Sequence, residues 1–202
     1  MIRKIAIVLL VAALGYVLWV VALNLPGKSG APRPQMETGP VKTAPIADRG
    51  SIAGISARSP GVTIIPVVGI KREQLADTFD DARGEGRIHD AIDIMAPRGT
   101  AVIAAAPGTV EKIFESKLGG HTIYIRRDGG AWIDYYAHLD AYVPGLVEGS
   151  KVVRGQLIAT VGSTGDASPE APHLHYAINA MAPGENWWQG KAINPYPVLM
   201  GQ

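Results

Sequence analysis

The 202-residue chain has no cysteine, which excludes disulfides, thiol catalysis, thiolate zinc ligation and lipid attachment through an N-terminal Cys. A metal bound here must be held by His, Asp or Glu. Neither sign of charge is in excess, with 19 Lys and Arg against 18 Asp and Glu. No stretch clusters basic residues with aromatics as a nucleic-acid surface would, so nucleic acid is not expected as a partner. There is no internal repeat, and the length suffices for one sizeable core but not for two once termini and linkers are set aside. Histidine is scarce as well: His89, His121, His138, His173 and His175 are all there are.

One long apolar run is present, from Ile5 to Leu25, broken only by Asn24 and free of charge. Roughly 20 such residues are what a helix needs to cross a bilayer. The run exceeds the roughly 7 to 15 residues of a signal-peptide core, and no A-x-A-like cleavage site follows, so a retained anchor is expected. Arg3 and Lys4 precede it, placing the N-terminus in the cytoplasm and all that follows on the extracytoplasmic side, periplasmic or at the cell wall. The expected organisation is a cytoplasmic tail and single-pass transmembrane helix over 1–25, a flexible tether over 26–68, and a globular domain over 69–202. Pro26 to Gly61 is rich in Pro, Gly, Ser and Ala and lacks hydrophobic periodicity. Counted to about residue 68, such a coil has an r.m.s. span of roughly 35 Å and an extended limit of about 140 Å.

Beyond residue 62, short apolar or alternating runs are separated by Gly, Pro, Asp and Ser clusters, the pattern of an all-β domain. Strands are expected at Val102–Ala106, Thr109–Phe114, Thr122–Arg126, Trp132–His138, Leu157–Val161 and His173–Ile178, with a short helix around Lys71–Thr78. Side chains alternate across a strand. Alternation puts Trp132, Asp134, Tyr136 and His138 on one face, with Ile133, Tyr135, Ala137 and Leu139 on the other, apolar, core-facing side. The same rule puts His173 and His175 together, opposite Leu174, Tyr176 and Ile178. Tyr136, sharing the face of His138, is then a candidate groove residue.

His-x-His in a strand sets two imidazoles side by side, with Cα atoms about 6.7 Å apart. Upstream, His89-Asp90-Ala91-Ile92-Asp93 offers a further His and a carboxylate. Fully extended, those two would stand about 13 Å apart. Gly84-Glu85-Gly86 and Pro97-Arg98-Gly99 flank the segment and argue against a helix, so the backbone must bend or the side chains converge. Two His and one Asp suit tetrahedral zinc with one position left open, the mark of a catalytic site.

These segments resemble the lysostaphin-type, or LytM-type, zinc peptidases of the M23 family. The matching stretches are His89 to Asp93 with Ile94-Met95-Ala96-Pro97-Arg98-Gly99-Thr100, then Tyr136-Ala137-His138-Leu139, Gly155-Gln156-Leu157-Ile158, Gly162-Ser163-Thr164-Gly165 and Pro172-His173-Leu174-His175. They run in family order from about residue 75 to the end. The resemblance implies a compact antiparallel sheet domain with a groove. It also implies one Zn2+ ion on His89, Asp93 and His175, with His138 and His173 as catalytic residues flanking the zinc-activated water. The substrate class it implies is bacterial peptidoglycan, cut in its cross-links or stem peptides by a zinc metalloendopeptidase. Some members of the family lose ligands and activate other cell-wall hydrolases, so a catalytically silent regulator, with protein regulators of wall hydrolysis among its partners, is the alternative.

The family commonly has Gly two residues after the first His, where this chain has Ala91; a left-handed backbone there would cost Ala roughly 1 kcal/mol. Arg83 stands six residues before His89, where some relatives place an oxyanion-stabilising side chain. His121, between a Gly-Gly turn and a strand, is expected to be structural or exposed. Trp187 and Trp188 are expected either to wall a groove or to cover a sheet end. Paired turns at Val147-Glu148-Gly149 and Val153-Arg154-Gly155-Gln156 invite comparison with biotinyl-lipoyl carriers. The Met-Lys-Met display such carriers need is absent.

Overall fold

The structure is a computed structural model that describes residues 60–202. The expected membrane span and most of the expected tether lie outside the described residues, among which no helix is long and apolar enough to cross a membrane. Nine strands form one antiparallel sheet: β1 (Ile92–Met95), β2 (Ala101–Ile103), β3 (Gly108–Ser116), β4 (Gly120–Arg127), β5 (Trp132–Tyr142), β6 (Lys151–Val152), β7 (Leu157–Val161), β8 (His173–Ala180) and β9 (Lys191–Ile193). The main order is β1-β8-β5-β4-β3-β6, while β7 pairs with both β5 and β2. The first half of β8 pairs with β1 and its second half with β9. The all-β class expected from the turn-punctuated sequence is therefore observed, with one minor helix.

The core lies on one face of this sheet. Ile92 and Ile94 stand opposite Tyr176 and Leu174 in register, and directly paired residues share a face. With Ile178, Tyr136, Ile123 and Ile125 they form a single buried cluster, completed by Val102 from β2 and by Ile158 and Val161 from β7. The chain joins this core before residue 69. Val67 is buried against Val102, and the Ile64 amide donates to the Ala105 carbonyl.

Where β5 lies under the core, the expected faces are reversed. Tyr136 and Asp134 are fully buried, and the Tyr136 hydroxyl accepts from the Ala105 amide, so Tyr136 is a core residue and lines no groove. Tyr135 and Ala137 face the other way. The alternation fails at His138, whose φ of 58° is left-handed. That break lets Ala137 and His138 share one side while Leu139 returns to the core. Parity counted backwards from His138 therefore assigns Asp134, Tyr135, Tyr136 and Ala137 to the wrong faces.

The buried Asp134 is paired beneath the sheet. Arg127 donates to its two oxygens from Nη2 at 2.6 Å and Nε at 2.9 Å, and the Tyr176 hydroxyl donates to it at 2.8 Å. Arg127 also donates from Nη1 to the Pro60 carbonyl at 2.6 Å and to Thr63 Oγ1 at 2.9 Å.

Other differences are local. The helix expected at Lys71–Thr78 is a single 3-10 turn, Arg72–Gln74, because Leu75 alone is buried there and the chain is extended again at that residue. The strand expected to reach Ala106 ends at Ile103, where its register against Leu157 shifts. The unanticipated helix α1 (Pro195–Met200) starts at Asn194, whose side chain accepts from the Tyr196 amide, and stops at left-handed Gly201.

Candidate metal centre

Strand register assembles the site. Asp93 on β1 lies directly opposite His175 on β8, which lies directly opposite Ala137 on β5. Side chains at these positions project from the sheet face away from the core. His173 joins them two residues earlier on β8, as the His-x-His spacing predicts. His89 reaches the same point because Asp90, with φ of 54°, turns the backbone ahead of β1. The Asp90 amide donates to the Phe79 carbonyl and the His89 amide to the Asp81 carbonyl. The left-handed residue is thus Asp90, a type that tolerates the conformation. Ala91 is buried and does not have a positive φ, so the Ala-for-Gly departure carries no left-handed strain.

A second close approach of backbones positions His138. Gly120 and Gly165, both at positive φ, abut so closely that a Cβ on either would collide with the backbone beside the other. That contact seats the Gly162-Ser163-Thr164-Gly165 loop on the β3–β4 turn. Thr164 Oγ1 accepts from the His121 amide and donates to the Leu139 carbonyl. The Thr164 carbonyl is thereby held 2.9 Å from His138 Nδ1.

Three rings have their Nδ1 fixed in this manner. His89 Nδ1 lies 2.8 Å from the Thr78 carbonyl, and His173 Nδ1 lies 2.8 Å from the Ala171 carbonyl. A carbonyl oxygen only accepts, so in the neutral ring Nδ1 carries the hydrogen and Nε2 keeps its lone pair. Burial pushes His138 below its ordinary pKa, against the bond to Thr164. His175 is pushed down by burial too, against its carboxylate neighbour. Both are therefore neutral at pH 7.

The lone pairs converge. His89 Nε2 is 3.0 Å from His175 Nδ1 and 2.9 Å from Asp93 Oδ1, which is 3.3 Å from His175 Nδ1 and 3.6 Å from His173 Nε2. His89, Asp93 and His175 each offer a ligand atom within 4.8 Å of the others. Asp93 Oδ1 is buried and makes no hydrogen bond of acceptable geometry. Its partner oxygen Oδ2 accepts from Arg83 Nη2 at 2.6 Å. Burial alone would raise the Asp93 carboxyl, but the contacts with His175, His89 and Arg83 outweigh it and hold it well below the usual carboxylate range. An anionic oxygen facing imidazole lone pairs, with too few protons to share, is an arrangement that a divalent cation satisfies. The N2O donor set, with the His89 ring anchored to the Thr78 carbonyl, suits zinc.

This cluster floors a cleft of about 480 Å³, within the usual range for ligand sites. Arg83, Arg87, Asp166 and Ser168 also line it. The five expected residues are thus brought together, and Arg83 joins them through Asp93. Tyr135, which the parity reading placed in the core, lines the cleft and packs edge-on to His175 with ring centroids 5.7 Å apart. No signal in the sequence would have found it, because the break in alternation at His138 is what turns Tyr135 and Ala137 to the cleft. His121 lies outside the cleft, bonded to the Asp140 carbonyl, as expected. Trp187 packs on Phe114 and Tyr124, covering the sheet rather than walling the cleft.

Residues 87–195 match the family described as "Peptidase family M23". The L-Ala--D-Glu endopeptidase of Bacillus subtilis is 36% identical over 129 residues, 60% of this chain and 38% of that protein. The peptidoglycan DD-endopeptidase ShyC of Vibrio cholerae is 38% identical over 93 residues, 46% of this chain and 20% of that protein. The murein hydrolase activator NlpD of Escherichia coli is 31% identical over 126 residues, 62% of this chain and 29% of that protein. The chain thus spans well under half the length of these curated relatives. Among solved structures, the catalytic domain of lysostaphin from Staphylococcus simulans superposes with a TM-score of 0.53 at 28% identity, covering 62% of this chain and 91% of that one. LytU superposes with a TM-score of 0.51 at 32% identity, covering 61% and 82%.

Proposed function

Because the chain belongs to peptidase family M23, we propose that it is a zinc metalloendopeptidase that hydrolyses peptide bonds in the cross-links or stem peptides of bacterial peptidoglycan. The observation that carries this reading is the convergence of His89, Asp93 and His175 on one point at the floor of a cleft, with His138 and His173 beside them. In this reading the first three hold zinc, which when bound supplies a Lewis acid for the scissile carbonyl and lowers the pKa of water towards about 7.

The chain's own residues do the rest. His138 and His173 have Nδ1 bonded to backbone carbonyls, which leaves Nε2 as the working nitrogen, and their rings pack at 4.9 Å, so one accepts a proton from the attacking water while the other serves the departing amine or the developing oxyanion. Such proton transfer contributes about 10²- to 10⁴-fold. Arg83 orients Asp93 through Oδ2, leaving Oδ1 turned to the metal position. The cleft lining carries charge of both signs, Arg83 and Arg87 together with Asp166, which suits a peptide bearing both a carboxylate and an ammonium group.

The proposal places this domain behind a membrane anchor at 1–25 and a tether beginning at 26, on the extracytoplasmic side, where the wall lies. A second reading, a silent regulator of other wall hydrolases, is supported by the 31% identity to an activator. The presence of all five site residues favours the enzyme. The test is to load the full chain with zinc, incubate it with peptidoglycan and identify released fragments by mass spectrometry. New peptide termini are expected, and folded, zinc-loaded protein that yields none would sink the enzyme reading. His173→Ala is expected to keep zinc and lose about 10²- to 10⁴-fold in rate.

A further inference from the structure

The aromatic residues outside the cleft are not scattered. Starting from His175, ring centroids follow one another at 5.7 Å to Tyr135, 4.5 Å to Tyr124, 4.7 Å to Trp187 and 5.2 Å to Trp188, with Phe114 flanking Trp187 at 5.5 Å. Tyr135 belongs both to the cleft wall and to this ladder. The inner rungs pack on the sheet, but the end does not: Trp188 is 62% exposed and Phe114 39%. A ladder that merely covered the sheet would bury its largest ring. Trp188 is nevertheless held on a fixed support. Arg126, itself paired with Glu111, donates to the Glu185 carbonyl at 2.9 Å, and the Glu185 carboxylate accepts from the Ala182 amide at 2.7 Å. Trp188 meets Trp187 edge to face at 80°, so that neighbour covers at most one of its faces, and the ring is largely exposed.

From this arrangement we infer that the ladder is a saccharide-binding track that takes the glycan from which the cleaved peptide hangs. A pyranose presents apolar C–H faces, which pack on aromatic rings, and a rim of hydroxyl and acetamido groups, which need donors and acceptors. The neighbours of Trp188 supply the second requirement. Gln189 spends its side-chain oxygen on Asn186 at 2.8 and 3.1 Å, and its amide N–H groups have no partner among the described residues. The rim around Trp188 is polar, formed by its chain neighbours Glu185, Asn186 and Gln189, and so offers the donors and acceptors that hydroxyl and acetamido groups need. Continuity through Tyr135 sets the direction: peptide in the cleft, sugar on the track. The inference rests on the peptidoglycan reading above.

Its test compares two substrates on the zinc-loaded full chain, a stem peptide still attached to its disaccharide and the same peptide freed of sugar. The sugar-bearing substrate is expected to have a kcat/KM at least tenfold higher, mostly through KM. Trp188→Ala is expected to shrink that ratio to near one, and Trp188→Tyr to restore most of it. A wild-type ratio near one, or a ratio unmoved by Trp188→Ala, overturns the track while leaving the peptidase reading intact. If neither substrate is cut, the peptidase reading falls, and titration with a tetramer of N-acetylglucosamine decides the track separately. Saturable quenching of tryptophan fluorescence that Trp188→Ala abolishes supports it, and no quenching overturns it.

Discussion

Replacing Asp134 by Ala tests whether the polar network under the sheet is as dry as it looks. The carboxylate is fully buried and accepts three hydrogen bonds, two from Arg127 and one from Tyr176. Its removal leaves a guanidinium that is only 4% exposed, with the Pro60 carbonyl, Thr63 Oγ1 and the Tyr176 hydroxyl as remaining acceptors, all of them neutral. Breaking a buried pair by deleting one partner costs about 3–5 kcal/mol, because the surviving charge stays desolvated. Against a typical domain stability of about 5–15 kcal/mol, that is a large fraction. It corresponds to a fall in Tm of roughly 10–20 °C for a domain of this size. The double variant Arg127→Met with Asp134→Leu removes both charges and is expected to recover most of the loss. Urea unfolding of the zinc-free full chain, followed by circular dichroism and checked by calorimetry, measures both. A loss under about 1 kcal/mol for Asp134→Ala, the value of an exposed pair, would refute the placement of this network in the core.

Two further outcomes follow from the metal centre. Zinc at about 1,000 times its Kd is expected to stabilise the folded chain by about 4 kcal/mol, read as a rise in Tm, and Asp93→Ala or His175→Ala is expected to abolish the rise; an equal rise in these variants would count against the ligand set. Ala91→Gly, although it restores the residue the family favours, is expected to lower stability by about 0.5–1 kcal/mol, since Ala91 is buried without left-handed strain; a higher Tm would contradict that.

The site was more legible than the strand that frames it. His173 and His175 needed only local alternation along β8, and nothing interrupts that strand between them. Alternation along β5 instead passes through His138, where a left-handed residue breaks parity. No residue type at that position signals the break, since His is not glycine. The bend between His89 and Asp93 was required by distance, but its location at Asp90 depends on hydrogen bonds to Phe79 and Asp81, residues of a loop without periodicity. Strands β1, β6 and β9 have four, two and three residues. Runs that short carry too few side chains to show a period. Helix α1, by contrast, displayed its start and stop signals in Asn194, Pro195 and Gly201, but two prolines in six residues hid them.

The pairing of Asp93 with His175 makes the site a gauge of folding accuracy. Sliding β1 by one residue along β8 would bring Ile92 or Ile94 beside His175 and drive Asp93 into the apolar cluster. A slip of two would keep the faces but part Asp93 from His175 and set Ile92 and Ile94 against the wrong core neighbours. If the site holds zinc as proposed, the fraction of a preparation that binds it therefore counts the chains whose first strand is correctly registered.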